Sequence, residues 1–228
     1  MERRRGIRGV AIALAAVALM GHRCTDRVEM VLDLSGNAGL FDAGFPTDLR
    51  LLADGHLDLA GYPRAGHTLT DHYAEVIEED TLGWPPVMPL YLRFTGPLDA
   101  SALPNDPAAY EDPGAPVQVV DVDPNSPERG RRFPLQVRFT TVADTYRPEW
   151  LLQALPVIGI PLREGTTYAL IATGDLVASS GFSLQANPAL TDLLRGEDPG
   201  GALGPRAVDV YAPVAARLAL EGIAPERI

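Results

Sequence analysis

Cysteine is almost absent from this chain of 228 residues, with Cys24 as the single example. One cysteine excludes an internal disulfide and every zinc site that is built from several thiolates. Lysine is absent altogether. All 19 basic residues are therefore arginine, which we attribute to a coding bias rather than to a binding site.

Positive charge is also scarce relative to negative charge. The 19 arginines are outnumbered by 30 acidic residues, which gives a formal net charge of −11. A chain of this sign has little with which to neutralise phosphates, which argues against a nucleic-acid partner. With 46% apolar residues, the chain can still bury a core, and its length fits one large domain or two small ones.

Long uncharged apolar runs are missing except at the N-terminus. Four arginines within residues 2–8 precede the apolar run 10–20, a pattern that is typical of a secretory signal and short for a membrane span. We predict a leader over residues 1–24 and an exported protein, either in the cell envelope (periplasm or outer surface) or secreted. Cys24 is a candidate for lipid attachment, the one route by which we expect membrane contact, although Arg23 stands where a lipoprotein signal requires a small residue.

Motifs for catalysis are missing as well. Residues 178–181, Ala-Ser-Ser-Gly, lack the first glycine of a G-x-S-x-G nucleophile elbow, and the chain has no glycine-rich phosphate loop. His67 and His72 are five residues apart, which is not the i, i+4 spacing of a helical zinc pair. We predict no catalytic residue and no cofactor for this chain.

Two other pairs of side chains have ordinary structural interpretations. The adjacent carboxylates Glu78 and Glu79 can serve in acid–base catalysis only within a cleft, and neighbours in sequence are more typical of a solvated acidic face. Trp84 and Trp150 can stack on sugars, but tryptophans of this kind more often anchor a core or its rim.

Residues 121–125, Asp-Val-Asp-Pro-Asn, match the first half of a calcium-binding loop. Ser126 and Arg132 occupy the positions where such a loop has its glycine and its bidentate glutamate. Asp121, Asp123 and Asn125 are therefore weak calcium candidates that another loop would have to complete. The alternative is a strand end followed by an Asp-Pro turn.

Alternating apolar residues, interrupted by frequent glycine and proline, predict a mainly β fold. We expect strands over 28–34, 90–95, 117–123, 135–141, 150–155 and 166–173. Long helices do not alternate with these strands as they do in parallel sheets. The pattern therefore predicts an antiparallel β-sandwich with short helices, one of them over 70–81.

Tyr168 lies near the start of the last predicted strand, directly after a turn at residues 162–165. In immunoglobulin-like sandwiches, a tyrosine at this place buries its ring and hydrogen-bonds its hydroxyl to nearby backbone. The alternative is an ordinary buried tyrosine on a strand of any fold. Tyr168 is thus predicted to be a structural residue.

The C-terminal part is predicted to be helical. Residues 187–194 fit a short helix, and residues 209–221 fit a second one that stops at Gly222. Because proline is tolerated only in the first turn, Pro213 places the start of the second helix near Asp209. This helix carries an apolar stripe that needs a partner, so we expect the natural chain to continue; the stripe consists of Tyr211, Val214, Ala215 and Leu218.

Several segments together resemble the N-terminal region of exported bacterial lipases and esterases, of the bacterial virulence-factor type. F-P-T-D-L at 45–49 and D-G-H-L-D-L at 54–59 look like the opening of that region. L-R-F-T-G-P-L-D at 92–99 and L-x-x-G-T-x-Y at 162–168 are similar to strands of bacterial Ig-like domains, and the helix at 211–223 resembles the linker before the catalytic module. The resemblance covers residues 40–228.

The resemblance implies an Ig-like β-sandwich over residues 25–185 and a helical linker over 186–228 toward a C-terminal catalytic domain. That α/β-hydrolase domain of the same protein is the expected partner, and no residue of this chain matches its catalytic serine, acid or histidine. The resemblance thus implies a non-catalytic module. The alternatives are a free-standing surface lipoprotein that acts as an adhesion or binding domain, and a small enzyme complete in itself.

Overall fold

The computed structural model describes residues 26–63 and 66–228, so the predicted leader and Cys24 lie outside the described residues. In these ranges the strands are β1 Asp26–Val28, β2 Leu90–Arg93, β3 Val117–Asp121, β4 Leu135–Thr140, β5 Leu151–Pro156, β6 Tyr168–Ala172 and β7 Phe182–Leu184. The helices are α1 Thr68–Asp80, α2 Pro188–Leu194 and α3 Gly204–Glu221. Short 3₁₀ turns lie at Asp48–Arg50, Ala100–Ala102, Pro107–Glu111 and Pro225–Arg227.

Two antiparallel sheets form the centre of the fold. One has the strand order β2-β5-β4, and in the other β3 pairs with β6. The prediction of a β-rich, antiparallel fold is confirmed at this level. One pair departs from it, because β1 and β7 run parallel, with Asp26 opposite Phe182. These two strands are separated by the whole of both sheets along the chain, so no tight hairpin forces them to be antiparallel.

Both sheets contribute side chains to one hydrophobic cluster. Leu92 of β2, Leu152 of β5 and Val119 of β3 are all buried in it, and every second residue of β2 points inward, as the period of two requires. Tyr110, in the 3₁₀ turn Pro107–Glu111, is only 1% exposed there. Its hydroxyl donates to the Pro104 carbonyl at 2.8 Å, which satisfies its polar group inside the core.

The strand predicted over residues 28–34 is shorter in the structure. Regular pairing ends at Val28, and Met30 then makes an isolated bridge with Phe94 beside β2. The single-strand prediction is wrong because this segment changes partner, from β7 to β2. The alternation is nevertheless reflected in burial, since Val28 and Leu34 are both buried.

Helix α3 begins earlier than the sequence predicts, and the start near Asp209 is wrong. Gly204 and Pro205 open the helix, where a proline gives up no hydrogen bond, and Pro213 lies inside it. In a regular helix the Asp209 carbonyl would accept a hydrogen bond from the N–H of residue 213, which proline lacks. Asp209 is exposed, so water can donate to this carbonyl instead. The helix ends at Gly222 as predicted, in the left-handed conformation with φ 68°.

The apolar stripe of α3 finds its partner within this chain. It packs on one face of the β3–β6 sheet and on α2, so the stripe itself needs no further domain to cover it. The buried members of the cluster that α3 forms with this sheet and α2 are Val120, Val122, Ala169, Ile171, Leu190, Leu194 and Leu218.

No helix in residues 26–63 and 66–228 is both long and apolar enough for a membrane crossing.

A buried polar network fastens the end of α3 to β3. Gln118 is 2% exposed, donates its amide to two backbone carbonyls and accepts from Arg132 Nε at 2.7 Å. The Arg132 guanidinium also reaches Glu221 Oε2 at 2.6 Å. Burial by itself would raise the pKa of Glu221, but hydrogen bonds from Arg217 and Arg132 outweigh it and the pKa is lowered.

Replacing Arg132 by alanine should lower the free energy of unfolding by roughly 2 kcal/mol, because hydrogen bonds to a charged and a buried partner are lost. Chemical denaturation measures this change. Arg147→Ala is the matched control, since its ion pair with Asp144 is exposed and should matter little. Equal losses in the two variants would contradict a special role for the network.

The contribution of the network should also depend on pH. The pKa of Glu221 is lower in the folded protein than its ordinary value of 4.5, so the stabilisation is present above that value and is lost as the pH falls through the folded pKa. The stability difference between the wild type and Glu221→Gln should therefore shrink below about pH 4.5.

Pro213→Ala should stabilise the protein by on the order of 1 kcal/mol, because the helix regains a backbone bond to Asp209 and loses a ring clash, while a more flexible unfolded chain offsets part of the gain. Pro205→Ala is the control, since a proline in the first turn has no bond to lose. Thermal melts that rank the two variants the other way would contradict a helix that is continuous from Gly204.

Candidate functional site

A partly open cleft of about 820 Å³ lies beside β6, and we call it the β6 cleft. Residues 162–174 line it without a gap, so the whole length of β6 faces it. The remaining walls come from β2 and its flanks, from α2 and α3, and from residues in the ranges 43–51, 81–88, 184–187 and 226–228. Its volume is in the range of about 300–1,000 Å³ that is usual for ligand sites.

Strand β6 is hydrogen-bonded along one edge only. Its odd-numbered residues pair with β3, and this ladder continues through the Thr167 carbonyl, at 3.0 Å from Val122 N, and the Thr173 N–H, at 2.9 Å from Pro116 O. In an antiparallel pair, residues between the bonded positions direct their backbone groups to the other edge. The even-numbered residues have no backbone partner within the described ranges; they are Tyr168, Leu170 and Ala172.

The C-terminal residues lie at one end of this open edge. Gly174, which continues the even-numbered series, donates its N–H to the Arg227 carbonyl at 2.6 Å. Ile228 packs into the cluster that contains Ala169 and Ile171, and both Arg227 and Ile228 line the β6 cleft. The Gly174 N–H thus has a backbone partner on the side of the open edge.

Aromatic rings form another wall of the cleft. Phe45 meets Trp84 edge-to-face at 5.2 Å between ring centres, and both line the cleft together with Tyr91. Burial raises the pKa of the Tyr91 hydroxyl above its ordinary value. The Trp84 indole N–H is buried and reaches hydrogen-bond geometry with no atom of the described residues, so it can donate to an acceptor in the cleft.

Two ionisable groups in the wall are shifted toward their neutral forms. Burial raises the pKa of Asp48, and the Arg206 guanidinium and the approaching Trp84 N–H offset this only in part. Burial also raises the pKa of Tyr211, on α3, to about 12. Both groups line the β6 cleft. Burial in the wall of the cleft thus disfavours the charged forms of these two side chains.

Tyr168 stands where the turn at 162–165 leads into β6. Its hydroxyl accepts a hydrogen bond from the Arg163 backbone N–H at 2.9 Å. Its ring is partly buried against the main cluster and meets Phe133 edge-to-face at 5.5 Å between centres. The side chain thus joins the turn before β6 to the core of the fold.

The three calcium candidates lie at the end of β3 and in the turn after it, and the carboxylates of the two aspartates accept hydrogen bonds from protein groups nearby. Asp121 is 1% exposed and accepts from the Asp123 N–H at 3.1 Å and from Ser126 Oγ at 2.5 Å. Asp123 accepts from the Asn125 N–H at 2.8 Å and from the Thr167 N–H at 3.3 Å. Among residues 26–63 and 66–228, no group of three or more His, Cys, Asp or Glu side chains is placed to hold a metal ion.

The remaining candidates lie apart from the cleft. His67 directly precedes α1, and His72 is exposed on that helix. Neither belongs to a group of three or more possible metal ligands within the described residues. Glu78 accepts a backbone N–H from residue 59 at 2.9 Å, whereas its neighbour Glu79 is exposed. Trp150 stacks on a phenylalanine of β4 at 6.3 Å between ring centres, and so covers the sheet.

The sequence patterns do not identify the β6 cleft, Asp48 or Tyr211 as a site. One signal for the cleft is present in β6 itself, where residues 169–172 read Ala-Leu-Ile-Ala without alternation. A continuous apolar run of this length indicates a strand that is covered on both faces. It does not indicate that one edge is open, because hydrogen-bond partners leave no trace in apolar periodicity.

Comparisons with protein-family models, with curated proteins and with solved structures gave no match for this chain.

Tyr168→Phe should lower the free energy of unfolding by about 1 kcal/mol, because the Arg163 N–H loses its acceptor while the ring contact with Phe133 is kept. Tyr62→Phe is the control, since that tyrosine is 37% exposed. Chemical denaturation of both variants measures the difference. A Tyr168→Phe variant as stable as the wild type would show that the hydroxyl does not hold the turn.

Proposed function

We propose that this chain is the non-catalytic, Ig-like N-terminal module of an exported bacterial protein whose following domain is a hydrolase of the lipase or esterase type. The module carries no chemistry of its own. It holds the hydrolase domain at a fixed place relative to the cell envelope or the medium.

The observation that carries this proposal is the contact of Tyr168 with its own turn. In Ig-like sandwiches a tyrosine near the start of a strand returns its hydroxyl to backbone a few residues upstream. Here the hydroxyl accepts from the N–H of Arg163, five residues earlier. The antiparallel sheets that share one hydrophobic cluster support the same inference, since an Ig-like sandwich encloses its core between two such sheets.

Export is proposed from the basic and apolar pattern of residues 1–24. If the exported protein stays in the cell envelope, Cys24 is the proposed site of its lipid anchor. The partner that we propose is the catalytic domain of the same polypeptide. Arginine and carboxylate side chains pair with one another at several places, as in Arg163–Glu128 and Arg227–Asp175. Together with the net charge of −11, this favours a soluble surface rather than a phosphate-binding one.

The linker role that the resemblance assigns to the C-terminal helix takes a more definite form here. Helix α3 is packed on the β3–β6 sheet, and the network at Glu221 fixes its end. Arg227 and Ile228 then lie against β6. Residue 228, from which a following domain would continue, thus lies at a defined place beside β6.

A free-standing binding domain remains the second candidate, and the β6 cleft is the observation that favours it. Its volume and the many apolar side chains that line it fit a small apolar ligand. The open backbone edge of β6 weighs against an apolar ligand as the natural occupant, because such a ligand leaves the N–H and C=O groups of the edge without partners.

Expression of the whole reading frame, followed by labelling with a fluorophosphonate probe, tests the proposal. The proposed function predicts a labelled serine within a G-x-S-x-G sequence that follows residue 228, and no label within residues 25–228. The control is the same protein with that serine changed to alanine, which should lose the label. A label inside residues 25–228, or a reading frame without a hydrolase domain, would overturn the proposal.

A further inference from the structure

Helix α1 carries its apolar side chains on a face that is exposed. They recur at the i, i+4, i+7, i+8 spacing of an amphipathic helix, and each is between 37% and 63% exposed: Leu69, Tyr73, Val76 and Ile77. We call these four residues the α1 stripe. Among the 13 residues of α1, Ala74 alone is buried. A surface helix normally turns its apolar stripe toward the core, and α1 does not.

The opposite face of α1 is fastened to the body of the protein. The Glu78 carboxylate accepts the Leu59 N–H at 2.9 Å, and His56 Nδ1 donates to the Glu78 backbone carbonyl at 3.0 Å. At 100° per residue, Ala74 and Glu78 lie roughly 140° around the helix from the centre of the α1 stripe. The helix therefore cannot rotate the stripe into the core without breaking these contacts.

The size of this apolar surface suits a reversible contact between two copies. Leu82, just beyond the end of α1, is 68% exposed and extends the stripe. Together these side chains expose on the order of 500 Å², which is toward the upper end of the patches that monomers carry. Two such patches would bury about 1,000 Å², which is the low end for a specific interface and corresponds to a weak dimer.

The charges of α1 argue against a membrane surface as the occupant and favour a second copy in the opposite direction. Helices that lie on membranes carry basic residues, whereas α1 has five acidic residues and no lysine or arginine. Three of the acids form the run 78–80 at its C-terminal end, where they oppose the helix dipole. At the other end, the N-cap residue His67 makes no side-chain cap hydrogen bond. An antiparallel pair would place the acidic end of each helix beside the N-terminus of the other.

The order of residues along one flank of the stripe is also self-complementary. His72 and Glu79 are seven residues apart, so they lie within about 20° of each other around the helix. In a two-fold pair each flank meets the same flank of the other copy in reverse order. His72 of each copy would thus lie beside Glu79 of the other, where an imidazole N–H can donate to a carboxylate. The same register brings Val76 to the centre and Leu69 beside Leu82 of the second copy.

We propose that the α1 stripe is a self-association surface, through which two copies of this chain pair with their α1 helices antiparallel about a two-fold axis. The inference goes beyond the proposed function and does not depend on it, because it requires no hydrolase domain. Every residue that it uses lies within the described ranges.

Sedimentation of the purified chain from about 1 μM to about 1 mM tests the pairing. The expected result is a reversible equilibrium between monomer and dimer. Val76→Asp should raise the dissociation constant at least about tenfold, because it brings two carboxylates into an apolar contact. Val142→Asp is the matched control, since it makes the same change at a valine that is 72% exposed in the loop after β4. This control should dimerise like the wild type.

A charge exchange tests the antiparallel direction. His72→Glu should weaken the dimer at least about threefold, because it places a second carboxylate beside Glu79 of the other copy. Adding Glu79→Arg to the same chain should restore the wild-type affinity, although positions 72 and 79 are about 10 Å apart within one helix. The control adds Glu149→Arg to His72→Glu instead, which makes the same change of net charge at an exposed glutamate outside α1. It should restore nothing.

A chain that stays monomeric up to about 1 mM would overturn the proposal. A dimer that Val76→Asp leaves intact, or that Val142→Asp weakens equally, would assign the association to another surface. Failure of Glu79→Arg to restore the dimer, or equal restoration by Glu149→Arg, would overturn the antiparallel arrangement. Cosedimentation of a monomeric chain with phosphatidylcholine vesicles, lost in Val76→Asp, would assign the stripe to a membrane surface. The serine-labelling result enters none of these outcomes, so the two proposals can fail separately.

Discussion

The pairing of β6 with β3 along a single edge is the constraint on which the rest of this structure depends. It joins two strands that lie far apart in the chain and creates the face on which α2 and α3 pack. The same pairing directs every second backbone group of β6 into the cleft. Core, helical cover and candidate site are therefore consequences of which residues of β6 face β3.

Arginine carries the basic charge in this protein, and the burial of each ion pair decides how much the pair contributes to stability. Most ion pairs, such as Arg147–Asp144 and Arg195–Glu226, are exposed and contribute little to stability. Arg132 is different, because its side chain is only 8% exposed and binds both Gln118 and Glu221. A planar guanidinium can serve two partners at once, which an ammonium group does less well.

Local signals in the sequence predicted much of the fold. The helix predicted over residues 187–194 begins where Asn187 caps α2 by accepting from the Leu190 N–H, because a cap is set by neighbours in the chain. Period-two alternation located β2 and β4. The parallel β1–β7 pair and the helix through Pro213 were not predictable, since distant packing partners decide them. The calcium candidates at Asp121 and Asp123 matched a motif, yet their carboxylates bind backbone donors.

Helix α3 follows the strands of both central sheets in the sequence, and this order has a consequence during synthesis. The β3–β6 sheet is complete once Ala172 has left the ribosome, but the apolar side of that sheet is fully covered only after α2 and then α3, residues 204–221, have followed. For this interval Ala169 and Ile171 are open to water and to other nascent chains. During that interval the uncovered sheet face offers a hydrophobic surface on which a nascent chain can aggregate or a chaperone can bind.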